Sequence, residues 1–136
     1  MRVVLDTNIL LSALISSSGA RAKIYEAWKL HRFELVTSDH QLVELMRVTR
    51  YPALRPLITA SEAGRMINQL RALATVVAKL PHVATSPDPA DNFVLAMAQS
   101  SKADYLVTGD KSGLLVLERH RNTQIVTASR FGRLIK

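Results

Sequence analysis

The chain opens with the apolar run Val3-Val4-Leu5, halts at the polar trio Asp6-Thr7-Asn8 and turns apolar again. Three consecutive aliphatic residues are too few for a helix and too apolar for a surface loop, so they predict a strand buried on both faces. A helix is expected over residues 7–15; Ser16-Ser17-Ser18-Gly19 breaks it. A second follows over residues 20–30, with Ile24, Ala27, Trp28 and Leu30 on roughly one side. Leu35-Val36-Thr37 predicts the second strand. Ser38-Asp39-His40-Gln41 then has the Ser-x-x-Gln form of a capping box and opens a helix through Leu42, Leu45, Met46 and Val48, ended by Arg50-Tyr51-Pro52.

Thr59-Ala60-Ser61-Glu62 is another capping box, and Ile67, Leu70, Leu73 and Ala74 give the apolar stripe of its helix. Thr75-Val76-Val77-Ala78 predicts a third strand. After a Pro-rich loop over residues 81–89, the nearly unbroken apolar stretch 93–98 predicts a deeply buried helix. A strand at Tyr105-Leu106-Val107-Thr108, a short helix over residues 114–119 and a final strand at Gln124-Ile125-Val126-Thr127 complete the pattern. Strands alternating with helices imply crossovers between parallel strands. The expected fold is therefore a three-layer α/β/α sandwich on a mostly parallel sheet of four or five strands, in a single domain over residues 1–136.

Composition narrows the chemistry. With 136 residues, 48% hydrophobic and 21% charged, the chain has the make-up of one ordinary globular domain. No apolar run approaches the ~18 residues that would span a bilayer, so no membrane association is expected. Asp6 and Asn8 interrupt what would be the apolar stretch of a signal peptide. The absence of cysteine excludes disulfides, thiolate zinc sites and Cys nucleophiles, and fits a cytoplasmic location. His31, His40, His82 and His120 show neither i, i+4 pairing nor zinc spacing, which leaves them surface or loop roles. The sequence Gly109-Asp110-Lys111-Ser112-Gly113 lacks the spacing of a P-loop, and no serine has the context of a nucleophile elbow. A net charge of +7 suits a polyanionic partner.

Four acids stand out by position. Open parallel α/β sheets bind ligands beyond the carboxyl ends of their strands. Asp6 and Asp110 follow two of the predicted strands closely, and Glu44 and Asp91 lie on helices that start at the same edge. Each also has an ordinary account: Asp6 as a helix cap, Asp91 as an acid favoured by the helix dipole, Asp110 as a turn residue, Glu44 as a solvated helical residue. Taken together, like charges in a partly dry crevice resist ionisation unless a cation sits among them, and oxygen-only ligands point to Mg²⁺ or Mn²⁺. Such a metal activates water and stabilises charge on a phosphodiester, so a basic protein carrying this site reads as a nuclease.

The stretches Val3 to Leu14, "SDHQLVELMRVTRYP" and "SPDPADNFVLAMAQSSKADYLVTGDKSGLL" together resemble the PIN-domain family over essentially the whole chain. They resemble most closely the bacterial and archaeal branch of VapBC-like type II toxin–antitoxin systems. The resemblance implies a divalent-metal-dependent endoribonuclease whose four acids fall on Asp6, Glu44, Asp91 and Asp110. In that pattern Thr7 and Asn8 orient a carboxylate or a metal-bound water, and Ser38 and Thr108 are polar neighbours of the site. Ala90 stands where close relatives carry a further acid, which leaves Asp88 a supporting or capping role. Arg47, Arg50 and Lys111, each near an acid in sequence, are candidates to meet the RNA backbone. An antitoxin protein and a homodimer or higher homo-oligomer are the partners implied. The alternatives kept open are a metal-dependent phosphohydrolase acting on a small phosphate ester, and a binding module held mainly in an antitoxin complex.

Overall fold

The computed structural model describes all residues 1–136. The strands are β1 (Arg2–Leu5), β2 (Glu34–Ser38), β3 (Thr75–Val77), β4 (Tyr105–Val107), β5 (Arg119–His120) and β6 (Thr123–Val126). They form one sheet in the order β3-β2-β1-β4-β6-β5, parallel throughout except for β5, which runs antiparallel to β6. The sheet thus has six strands, against the four or five expected. The extra strand, β5, is two residues long, too short to carry any periodicity of its own.

The helices are α1 (Thr7–Ile15), α2 (Ala20–Lys29), α3 (Asp39–Thr49), α4 (Ala60–Leu73), α5 (Asn92–Ser101), α6 (Leu114–Leu117) and α7 (Ala128–Leu134). The pleat of β1 divides the core. Val3 and Leu5 join a cluster that includes Ile9, Trp28, Leu42, Leu70 and Phe131, so α1, α2, α3, α4 and α7 cover one face. Val4 points the other way, into a cluster with Val94, Leu95, Met97 and Leu114 from α5 and α6. Continuous aliphatic strands are what a sheet covered on both faces requires, and the three layers follow from them. No helix is long and apolar enough to cross a membrane.

Several local expectations change. Helix α7 was not expected, although Ala128, Phe131, Leu134 and Ile135 have helical spacing and the Thr127 hydroxyl caps the helix by accepting the Arg130 N–H at 3.2 Å. His120 has neither the surface nor the loop role expected of it. It is buried in β5, with Nε2 3.0 Å from Gln99 Oε1, and burial holds its proton affinity below the usual value, with the charge of Arg121 adding to the effect. The Thr59–Glu62 capping box closes in both directions. The box read at Ser38 is only half made: Ser38 Oγ accepts the Gln41 N–H at 3.2 Å, but the Gln41 side chain turns inward. There its Nε2 donates to the Leu5 carbonyl at 2.7 Å, and its Oε1 accepts from Thr37 Oγ1 at 2.8 Å. Gln41 thereby ties α3 to the ends of β1 and β2.

Candidate active site

Strands β1 and β4 are adjacent, with Leu5 opposite Val107, and the Asp6 N–H extends the pairing by donating to the Val107 carbonyl at 2.9 Å. Asp6 is consequently fixed at the carboxyl edge of the sheet. It occupies the N-cap position of α1, yet its side chain makes no cap hydrogen bond. Instead Oδ2 accepts from the hydroxyl of Thr108, at the end of β4, at 2.8 Å. Burial raises the proton affinity of Asp6, and the charge of Asp110 adds to this. The hydrogen bonds from Thr108 and Thr7 and the positive charge of Arg21 oppose it.

Thr108 is fully buried and joins two acids, because its Oγ1 also accepts the Asp110 N–H at 3.1 Å. Asp110 folds its carboxylate back over the following turn: Oδ1 accepts the Gly113 N–H at 3.1 Å and Oδ2 the Leu114 N–H at 3.4 Å. Gly113 permits this close approach, since a Cβ there would collide with Asp110 Oδ2. Asp110 is thus a turn acid as well as a candidate site acid.

Asp91 ends a 3-10 turn (Pro89–Asp91) and precedes α5 rather than lying within its first turn. The apolar helix behind it, with Val94 to Ala98 almost wholly inaccessible, anchors its position. Its carboxyl is pushed up to about 7, first by burial, then by a hydrogen bond shared with Asp110 and by the charges of Asp6, Asp110 and Asp88. Asp88 is exposed and caps the 3-10 turn, Oδ1 accepting the Ala90 N–H at 3.0 Å. Glu44 projects half-buried from α3. Burial and the charge of Asp6 raise its proton affinity, while His40 and Arg47 lower it.

The four acids therefore feel one another at a single edge of the sheet. They stand as a chain of neighbours: the charge of Asp110 is felt at Asp91 and Asp6, and that of Asp6 at Asp91 and Glu44. No three acidic or histidine side chains are gathered closely enough to grip one ion together. The donor chemistry nonetheless fits a hard cation. Every candidate ligand is a carboxylate oxygen, and three of the four resist ionisation partly because of the others' charge.

The remaining predicted residues fall into distinct places. Ser38 is buried and serves as the α3 cap. Thr7 is buried beside Gln41, whose Nε2 lies 3.5 Å from its hydroxyl, whereas Asn8 is exposed and lines a depression with Asp110. Arg47 is exposed on α3 and donates to the Tyr51 hydroxyl at 2.6 Å. Arg50 lines a groove between α3 and α4 with Arg55, away from the acids, while Lys111 is exposed next to Asp110.

Two residues close to this edge escaped the sequence reading. Gln41 was absorbed into a capping motif, and only its side-chain direction distinguishes a clamp from a cap. Arg21 reaches the site from α2, with its guanidinium against the Gly109 backbone. Its sequence signal was a cation at the second position of a helix, where the dipole disfavours positive charge.

Comparison with curated proteins gives no match. A family model described as PIN domain matches residues 2–112, a span that contains all four acids, Thr108 and Gln41, and the chain belongs to the PIN-domain family.

Proposed function

We propose that residues 1–136 form one nuclease domain, a Mg²⁺- or Mn²⁺-dependent endoribonuclease acting through Asp6, Glu44, Asp91 and Asp110. PIN domains are generally divalent-metal-dependent nucleases that act on RNA, and the family assignment supports that general reading. The observation that carries the specific one is the meeting of four carboxylates at the carboxyl edge of β1 and β4, three of them with raised proton affinity. A bound divalent ion would supply Lewis-acid stabilisation of the phosphodiester and lower the pKa of a water. Asp6, Asp91 and Asp110 would have to be drawn closer together by the ion to hold it jointly, and Glu44, whose charge interacts with that of Asp6, would complete the set or orient the attacking water.

The chain's own groups prepare this site. Thr108 favours the ionised form of Asp6 against the opposing effect of burial, the Gly113 and Leu114 amides orient Asp110, and Gln41 keeps the α3 start, one turn before Glu44, against the ends of β1 and β2. Lys111 and Arg47 lie exposed near the acids, where they would meet phosphate oxygens.

The test is the double variant Asp6→Asn, Asp110→Asn. It is expected to lose Mn²⁺ binding by calorimetry and cleavage of oligoribonucleotides together. Cleavage by the purified variant at the wild-type rate would overturn the mechanism. The finer reading, a toxin restrained by an antitoxin in the cytoplasm, rests on the resemblance to VapBC-like chains. It predicts growth arrest on expression, relieved by co-expressing the product of an adjacent short open reading frame; expression without arrest counts against it.

A further inference from the structure

Beside the acid cluster lies a cavity of a different character. It has a volume of about 460 Å³ and is lined by Arg21, Lys111 and hydroxyl side chains including Ser12, Ser18, Thr127 and Ser129. No carboxylate lines it. The neighbouring depression, of about 350 Å³, carries Asp110 and Asn8, and the two share Ser12, Arg21 and Gly109 as a common wall. A cationic, hydroxyl-lined chamber thus adjoins the acidic one across a single arginine.

The state of that arginine is informative. Arg21 makes no ion pair, although it is close enough for its charge to be felt at Asp6. Its one hydrogen bond runs from Nη1 to Ser12 Oγ at 2.9 Å, which steers the guanidinium and leaves most of its five N–H donors uncommitted. Gly109 lets the guanidinium approach the backbone between the strand end and Asp110, because a Cβ there would collide with Nη2. Helix stability does not explain the residue, since a cation in the first turn of α2 opposes the dipole. A half-buried guanidinium held by a hydroxyl, unpaired, and facing a cavity with a second cation is arranged for an anion that offers two oxygens to its planar fork, and a tetrahedral phosphate group does so.

We propose that this cavity is a phosphate subsite for the RNA phosphodiester adjoining the one that is cut, with Arg21 as its bidentate donor and Lys111 as a second positive charge. The proposal rests on the ribonuclease reading and deepens it: the substrate would need at least one phosphate beyond the scissile one.

Binding and cleavage separate the two ideas. Dinucleoside monophosphates are compared with the same dinucleotides carrying an additional 5′- or 3′-phosphate, and Kd is measured in EDTA so that no metal chemistry intervenes. The wild-type protein is expected to bind one of the phosphorylated forms about tenfold or more tightly, the gain of a charge-assisted pair. Arg21→Gln is expected to reduce that preference to about twofold or less. Gly109→Ala should do the same by displacing the guanidinium, with little change in melting temperature, because the atom it meets is the end of a flexible side chain. A wild-type protein indifferent to both terminal phosphates, or an Arg21→Gln variant with the full preference, overturns the subsite. Cleavage of oligoribonucleotides by the Mn²⁺-loaded protein is measured in parallel. Phosphate preference without cleavage leaves the subsite standing and refutes the ribonuclease reading, whereas cleavage without preference does the reverse.

Discussion

Replacing Thr108 by valine isolates the bond that holds the first acid in place. Valine matches threonine in shape, so the fully buried position gains no cavity, and the change falls on two hydrogen bonds: Oγ1 to Asp6 Oδ2 at 2.8 Å and Asp110 N–H to Oγ1 at 3.1 Å. A hydrogen bond to a charged group is worth about 1.5–3 kcal/mol, and the extra methyl returns about 0.8 kcal/mol of apolar burial. With the orphaned Asp110 amide included, a net loss of about 2–3 kcal/mol is expected in metal-free buffer above pH 7. Unfolding entropy of roughly 2.1 cal/mol/K per residue, over 136 residues, converts this to a fall in melting temperature of about 7–10 °C.

The loss should depend on pH in a defined direction. The bond favours ionised Asp6, so its removal lifts the carboxyl further above its unfolded value. A group whose folded pKa is raised binds more protons folded than unfolded, and stability then declines as pH rises towards that pKa. Without Thr108 the decline extends to higher pH, and the gap between variant and wild type widens from pH 5 to pH 8. Thermal melts followed by circular dichroism in EDTA read this directly. A melting temperature within 2 °C of wild type at pH 8, about a third of the smallest expected shift, or an equal gap at pH 5 and pH 8, would refute the role assigned to Thr108.

Asp91→Asn should stabilise the metal-free protein at pH 8. The wild-type carboxyl, raised to about 7, loses stability as pH climbs from about 4 through that value, whereas the amide does not titrate. Because the group is only partly buried, solvent screening limits the gain to about 1–2 kcal/mol, and the same variant should show no rise in melting temperature on adding Mn²⁺. Gln41→Met removes the bonds to the Leu5 carbonyl and the Thr37 hydroxyl, and urea unfolding should register a loss of about 2–4 kcal/mol. A double-mutant cycle with Thr37→Val should recover positive coupling, and strict additivity would count against the clamp. RNA affinity should weaken with added salt, and Lys111→Gln should make the log–log salt slope shallower by about 0.7, the value for one single-strand phosphate contact, in anisotropy titrations.

The resemblance and the strand pattern together place the four candidate acids at one edge from the sequence alone, and the reason is geometric. A parallel strand that is apolar throughout must be covered on both faces, its carboxyl end is then the only exit, and Asp6 one residue past Leu5 has nowhere else to be. The buried helix over residues 93–98 was equally legible, since an all-round apolar helix can only be internal. Element α7 was missed although its spacing was present, because a seven-residue helix at the end of the chain gives barely two turns of signal. Strand β5 could not be found at all, because two residues have no period.

What sequence determined by itself, therefore, was the alternation of elements and the edge of the sheet at which the four candidate acids lie, both set by local periodicity and by a side chain's distance along the chain from a strand end. Tertiary structure alone decided the partners of those side chains. Whether Asp6 caps α1 or bonds to Thr108 depends on a residue 102 positions away. Gln41 became a clamp rather than a cap through a carbonyl 36 positions away, and Arg21 entered the site across a different helix. Local pattern fixes where a polar group sits along an element. The direction of a buried polar group is set by which distant group satisfies its hydrogen bonds, and that is known only once the layers have closed.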